Sequence, residues 1–374
     1  MSKGFAELNN NIILYPQRLT SPTVKVRRLG YLAAIPSIIQ DREMPIRVLE
    51  KAVLDWAREN HTFFRHYSLG LPVSRLKRRK LTGEIETLGA AGRYINTCQE
   101  LGLLVKMKGF RISKIGKAIT VLPTNGNPFE LSIGKLFVIL KSLLEKDYDA
   151  FSILLKTSVK KDRDEIEFFR NEMQRRLYEK IELASRMNKL YIVDMLKKRV
   201  EYIKNWRSPR RYYLENIKAP RLEWMLDLKF IKHWNQRTNV FELQNSVEEF
   251  FKKEIISHDW LQNEYPYIFA EFYSDLFPKE LRDWNTLPSD ERLVIMNFLI
   301  SKCMKVFKTG LELGKISANE FFEFSLAFLM QHKSIITPLS SFEKDLINFT
   351  RSGKLKFSYV QTVSKADKGY ITSL

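Results

Sequence analysis

Two clusters of basic residues are the parts of this sequence best suited to chemistry, and that chemistry is contact with a polyanion. The first cluster places five cations in six positions: Arg75, Lys77, Arg78, Arg79 and Lys80. The second cluster contains Arg207, Arg210, Arg211, Lys218 and Arg221. Neighbouring cations repel one another unless an anion lies near, so we interpret both clusters as sequence-independent contacts with nucleic-acid phosphates. The alternative is a solvated basic surface, or one that packs on acidic parts of the chain.

The distribution of charge along the chain supports a polyanion partner for its first two-thirds. The 374 residues carry a net charge of +19. Residues 1–130 contribute +11 and residues 131–253 contribute +9, whereas residues 254–374 contribute −1. This asymmetry indicates nucleic-acid contact in the first two blocks and a different role for the last. A chain that is merely basic remains the alternative.

The segment from Leu81 to Pro123 predicts a helix, a hairpin and a second helix. Apolar residues recur at helical spacing and predict a helix over residues 86–101, which Thr82 could cap. Residues 103–107 and 110–112 predict two strands joined by a tight turn, and Ser113 is expected to cap the helix that follows. Upstream, residues 45–60 predict a helix whose apolar face contains Val48, Ala52 and Trp56.

This order of elements resembles the winged-helix superfamily of DNA-binding domains over residues 45–123. The phrases that carry the resemblance are Glu100-Leu-Gly-Leu-Leu-Val105 and, after a short turn, Phe110-Arg-Ile-Ser113. The resemblance implies that the helix before the hairpin enters the major groove of duplex DNA, while the hairpin, or wing, contacts the flanking backbone. On that helix the residues that fall away from the apolar face, and whose types suit guanine or adenine, are Arg93, Asn96 and Gln99. The backbone-contact candidates on the wing are Lys106, Lys108 and Arg111.

The same order of helical and alternating spacing of apolar residues recurs between residues 212 and 253. A helix over residues 212–227, interrupted at Pro220, precedes strands at 228–234 and 240–243 and a helix at 247–253. We align Leu104–Met107 with Phe230–His233, and Phe110–Ser113 with Phe241–Gln244. The alignment predicts a second winged helix, whose loop residue Arg237 would contact the DNA backbone.

The predicted fold is therefore mainly α, with tandem winged-helix-type domains, small β-wings and a helical C-terminal domain. We expect an irregular N-terminal arm at 1–43, the first domain at 44–123 and a helical region with the second domain at 129–253. Residues 254–374 are expected to form a helical interaction domain ending in a β-hairpin over 355–374. Because this last block is nearly neutral and rich in aromatic residues, it is expected to bind a protein partner or a second copy of the chain.

Motifs for catalysis, cofactors and metals are not found in the sequence. It contains no glycine-rich phosphate loop, no nucleophile elbow and no zinc-protease motif, and its five histidines are dispersed. The acids between residues 162 and 167 could form a metal cluster, but their alternation with cations favours a solvated helix face with ion pairs. Cys98 and Cys303 are expected to be buried thiols in a reducing compartment. No apolar run reaches the length that spans a bilayer, so no membrane partner is expected.

These observations together predict a non-enzymatic protein that binds double-stranded DNA in the cytoplasm, associated with the nucleoid. Its expected role is the DNA-recognition or accessory subunit of a prokaryotic antiviral defence, restriction, replication or regulatory system. Two alternatives stay open: a nuclease with a cryptic active site, and an interaction subunit that uses winged helices as packing modules. RNA binding is a weaker variant.

Overall fold

The fold is mainly helical with small sheets, as predicted. The computed structural model describes residues 26–40, 42–71, 83–157, 165–205, 214–235, 240–251, 258–277, 279–307, 315–361 and 368–373. The α-helices are α1 Leu29–Ile39, α2 Ile46–Glu59, α3 His61–Gly70, α4 Leu88–Glu100, α5 Lys114–Val121, α6 Ile133–Thr157, α7 Glu165–Arg186, α8 Leu190–Lys204, α9 Ala219–Asp227, α10 Asn245–Phe251, α11 His258–Asn263, α12 Tyr265–Phe272, α13 Ser289–Val306, α14 Ala318–Lys333 and α15 Leu339–Arg351. The strands are β1 Leu104–Lys106, β2 Phe110–Ile112, β3 Ile231–Asn235, β4 Val240–Leu243, β5 Arg282–Asp283, β6 Lys315–Ser317, β7 Ile335–Ile336, β8 Phe357–Val360 and β9 Tyr370–Ser373.

Helix α1 lies within the segment that was expected to be an irregular arm, so that prediction is wrong for residues 29–39. Most of the side chains of α1 are buried, among them Leu29, Leu32 and Ile35. Pro36 lies inside the helix. A proline there removes one backbone hydrogen bond, and the burial of nearly the whole helix offsets that loss.

The apolar face predicted for α2 is displaced by one position. Val48 is 52% exposed, whereas Leu49, Val53 and Ala57 are buried. Both sets of residues recur at helical spacing, so the period alone does not choose between them. Packing of α2 against α4 decides which face is buried.

The predicted helix, hairpin and helix between residues 81 and 123 are present as α4, β1–β2 and α5. The Oγ of Ser113 accepts a hydrogen bond from the N–H of Gly116 at 2.9 Å and caps α5 as predicted. Helix α4 is capped by Thr87, whose Oγ1 accepts from the N–H of Ala90 at 3.2 Å. Thr82, the predicted cap, lies outside the described residues.

A short bridge extends the β1–β2 hairpin by one strand position. The N–H of Met44 donates to the carbonyl of Phe110 at 2.9 Å, and the N–H of Phe110 donates back at 2.8 Å. Residue 44 precedes α2, so the bridge ties the start of α2 to the hairpin.

The backbone around α9 repeats the backbone around α4 with an offset of 127 residues. Gly102 and Lys229 both adopt a positive φ, at 78° and 58°, directly after their helices. The N–H of Leu103 then donates to the carbonyl of Cys98, and the N–H of Phe230 donates to that of Met225, each at 2.8 Å. These bonds pair residue 103 with residue 230, so the predicted alignment of the first strands is wrong by one residue.

The second half of the repeat matches the predicted alignment. The N–H of Ser113 donates to the carbonyl of Leu103 at 3.1 Å, and the N–H of Gln244 donates to that of Phe230 at 3.0 Å. Strands β3 and β4 pair antiparallel, like β1 and β2. The order of helical and alternating apolar spacing thus identified a local structural repeat, although the two sequences are not similar.

The C-terminal hairpin is also present. Strands β8 and β9 pair antiparallel with Val360 opposite Tyr370, and β6 pairs with the other edge of β9. The larger apolar core contains residues from Val26 to Ile371 and crosses the predicted domain boundaries. A smaller core joins α7 and α8 to the end of α6.

The acids predicted to lie on a solvated helix face are placed only in part. Asp162 and Asp164 lie outside the described residues, Glu167 is exposed at the start of α7, and Glu165 is half-buried and bonds to the buried Lys218.

Further along α7 the guanidinium of Arg175 bonds to Glu172 at 2.7 Å and also to Glu179. Not every charge faces water, because Arg176 and Lys180 both contact the buried carboxylate of Asp149.

Candidate nucleic-acid interface

Helix α4 is fixed in place by the phenol of Tyr94. This hydroxyl accepts hydrogen bonds from the N–H groups of Arg27 and Arg28, each at 3.2 Å, and donates to the carbonyl of Gly83 at 2.7 Å. The ring is buried, as are Ile95 and Cys98 on the same side of the helix. The opposite face of α4 is therefore held in one orientation toward solvent.

The exposed face of α4 carries two of the three predicted base-contact residues. Arg93 and Asn96 are exposed, and Gln99 is half-buried at the edge of the face. Gly89 begins this line of residues, and a Cβ placed there would meet no atom within 4 Å. An Arg and an Asn on one exposed helical stripe can donate and accept hydrogen bonds at the edges of bases in a major groove.

Glu100 ends the same stripe and was not selected from the sequence. It is spaced four residues from Asn96 and seven from Arg93, which places the three side chains on one face of a helix with 3.6 residues per turn. Burial raises the pKa of the Glu100 carboxyl to about 7, and the charge of Asp147 adds to this, while Arg199 opposes it. The spacing from Arg93 could have identified Glu100, because acids also read bases by accepting from cytosine.

The hairpin presents two cations beside this face. Lys106 and Lys108 are exposed and form no ion pair with other described residues. Arg111 is exposed as well, but its guanidinium bonds to the carboxylate of Glu43 at 2.9 Å. The same carboxylate accepts from the N–H of Gly109 at 2.7 Å, so Glu43 fixes the turn while it neutralises part of the hairpin's charge.

The predicted phosphate contacts of Arg221 and Lys218 do not fit the structure, which places both in the interior. The guanidinium of Arg221 is fully buried and bonds to both oxygens of Asp147, at 2.6 and 2.8 Å. The ammonium of Lys218 bonds to Glu165 at 2.5 Å. In the repeat, Arg221 occupies the position of the buried Tyr94, and Lys218 that of the buried Ala91. The register of the helix, rather than residue type, sets their burial.

Helix α9 is buried along nearly its whole length, unlike its counterpart α4. Every residue from Pro220 to Asp227 is buried. The carboxylate of Glu223 bonds to Arg27 at 2.8 Å and to Arg28 at 2.9 Å, and that of Asp227 bonds to Arg28 at 3.0 Å. The second repeat therefore holds the segment before α1, and residues 220–227 of α9 present no exposed side chain to an outside ligand.

The remaining predicted contact residues cannot be placed. Arg75, Lys77, Arg78, Arg79, Lys80, Arg207, Arg210, Arg211 and Arg237 lie outside the described residues. The described part of the chain contains no group of three or more His, Cys, Asp or Glu side chains arranged to hold a metal ion. Within that same part, no helix combines the length and apolar character needed to cross a membrane. Cys98 and Cys303 are free and buried, as predicted.

Comparison of the chain with protein-family models, with curated proteins and with solved structures gave no match.

Proposed function

We propose that this chain binds duplex DNA through the surface formed by α4 and the β1–β2 hairpin. The observation that carries the proposal is the exposed stripe of Arg93 and Asn96. Lys106 and Lys108, which form no ion pair with other described residues, lie on the hairpin that follows. A rigid helix supplies groups that suit base edges, and the hairpin supplies groups that suit phosphates. The net charge of +19 favours attraction to DNA over a long range.

The arrangement of α1 to β2 supports assignment to the winged-helix type. The order is helix, one bridging strand position at Met44, helix α2, helix α4 and hairpin β1–β2, with α3 between α2 and α4. In this assignment α4 is the recognition helix and residues 107–109 form the tip of the wing. The bridge at Met44 and the Glu43 contacts would hold the wing at a fixed angle to α4.

For the second repeat we propose a packing role. The observation behind this is the burial of residues 220–227 of α9 and the ion pairs of this helix with Arg27 and Arg28. The alternative in which winged helices act as packing modules thus suits the second repeat, whereas the exposure of α4 suits DNA contact by the first.

The C-terminal region is proposed as an association surface. Val294 is 68% exposed and Phe298 is 48% exposed, one turn apart on α13. Large apolar side chains that adjoin on a helix surface favour contact with another protein or another copy of the chain. Sedimentation of the full chain beside a Val294→Ser, Phe298→Ser variant tests this, and equal apparent masses would exclude self-association through this face.

The test of DNA binding is fluorescence anisotropy with labelled duplex DNA, single-stranded DNA and RNA over a series of salt concentrations. The expected result is preference for the duplex, with a log–log salt slope of about −0.9 for each phosphate contacted. Arg93→Ala should weaken duplex binding about 5- to 150-fold, the range for loss of one good base contact. The matched control is Lys305→Ala, which removes an exposed cation from α13. Equal losses in the two variants, or no duplex binding at low salt, would overturn the proposal.

A further inference from the structure

From residue 290 onward, every exposed side chain of α13 lies in one stripe along the helix. The stripe contains Asp290, Val294, Phe298, Ser301 and Lys305, and the last four lie four, eight, eleven and fifteen residues after the first. These spacings keep all five on one side of a helix with 3.6 residues per turn. We call this set the α13 stripe. An acid begins it, a cation ends it, and its two large apolar side chains, 68% and 48% exposed, lie between them.

The charged side chains beside the α13 stripe are engaged within the chain. The carboxylate of Glu291 bonds to the guanidinium of Arg282 at 2.9 Å. The ammonium of Lys302 lies 5.8 Å from the ring centre of Phe298 and 4.3 Å from that of Phe328. By contrast, the acid and the cation of the stripe itself form no ion pair with another described residue. These two charges are therefore free to meet charges of a partner.

The α13 stripe is complementary to itself when two copies of the helix run antiparallel. If a two-fold axis passes beside Phe298, Asp290 of one copy lies level with Lys305 of the second copy. On the same axis Val294 lies level with Ser301 of the second copy, because both pairs of positions share one midpoint. The small serine leaves room for the valine, and two-fold symmetry makes each of these contacts occur twice.

We propose that α13 pairs antiparallel with α13 of a second copy of this chain through the α13 stripe. A parallel two-fold pair would place the two acids level with each other, and likewise the two cations, so the charges select the antiparallel arrangement. Burial of Val294 and Phe298 against the second copy supplies the attraction, and the exposed ion pairs at the two ends set its direction. One helix from each copy gives a small interface, so association at micromolar concentration is expected. The inference rests on the association surface proposed above and names its partner.

The test is sedimentation velocity of the full chain over a micromolar concentration range. The samples are the unmodified protein, Asp290→Lys, Lys305→Glu, an equimolar mixture of these two variants, and the double variant Val294→Ser with Phe298→Ser. All four positions are exposed, so the substitutions leave the core of the protein unchanged. Lys344→Glu is the matched control, since it reverses an exposed cation of α15 that lies off the stripe.

Each charge variant alone should associate about tenfold or more weakly than the unmodified protein, because both ends of its pair bring like charges together. The mixture should recover the association of the unmodified protein, since each end of a mixed pair again joins a cation to a carboxylate. The serine variant should stay monomeric, and Lys344→Glu should match the unmodified protein. Binding to a duplex that holds a single site should not change in any variant, because none of these residues belongs to α4 or the hairpin.

The outcomes separate this inference from the proposed association surface. If the serine variant is monomeric but the mixture stays dissociated, or if Lys344→Glu loses as much as the charge variants, antiparallel pairing fails and the association surface stands. If the unmodified protein is monomeric throughout, or the serine variant associates normally, both fail.

Discussion

Replacing Arg221 by alanine is expected to destabilise the fold and to leave the DNA interface intact. The guanidinium is fully buried, bonds to both oxygens of Asp147, and donates to the carbonyl of Ile217 at 3.0 Å. Its loss leaves a buried carboxylate without its main partner, which costs about 3–5 kcal/mol in free energy of unfolding. For a chain of 374 residues the unfolding entropy is about 0.8 kcal/mol per degree, so Tm should fall by about 4–6 °C.

Urea and thermal unfolding followed by tryptophan fluorescence measure this change, because the ring of Trp224 lies 5.9 Å from the Arg221 guanidinium. A double variant, Arg221→Met with Asp147→Leu, removes both charges and should recover most of the loss, since an apolar pair can replace a buried ion pair at little cost. Arg93→Ala should show the reverse pattern, with normal stability and weaker DNA binding. An unchanged Tm with weaker DNA binding in Arg221→Ala would refute the burial argument and restore Arg221 as a phosphate contact.

Lys106→Ala combined with Lys108→Ala should reduce the slope of log affinity for duplex DNA against log salt concentration by about 1.8. An unchanged slope would show that the hairpin does not contact DNA phosphates. Duplex affinity should rise as pH falls through about 7, because the Glu100 carboxylate then takes up a proton and no longer repels phosphates. Glu100→Gln should therefore flatten the dependence of affinity on pH. If the variant and the unmodified protein show the same dependence, Glu100 is not the group that causes it. Gly116→Ala should destabilise the fold by about 1–3 kcal/mol in urea, because its Cβ would lie 2.1 Å from a backbone carbonyl oxygen. Gly126→Ala, where a Cβ meets nothing within 4 Å, is its control and should match the unmodified protein.

Local patterns in the sequence were sufficient to predict the hairpins and their flanking helices. The change from helical to alternating spacing after Glu100 and the cap at Ser113 are properties of adjacent residues. Each is determined by backbone geometry within about ten positions, and the structure contains both. The exposed positions of Arg93 and Asn96 followed from the same local period.

Burial could not be predicted from residue type. Arg221 and Lys218 lie in a basic stretch that resembles a solvated surface, yet both fill inward positions opposite carboxylates of α6 and α7. Those acids, Asp147 and Glu165, are more than fifty residues earlier in the chain. Pairs separated by that distance leave no periodic signal, so only the register of the repeat points to them.

The two repeats share a local backbone arrangement but differ in what covers the repeat helix. Asn96 and Glu100, on the exposed face of α4, correspond to Glu223 and Asp227 of α9. On α9 the corresponding face is covered by Arg27 and Arg28, which are cations of the same chain. A face that is already covered by internal cations cannot receive an outside ligand without breaking buried ion pairs. Of the two repeat helices in the described part of the chain, only α4 exposes this face to solvent. The proposed DNA contact therefore involves one repeat helix per chain.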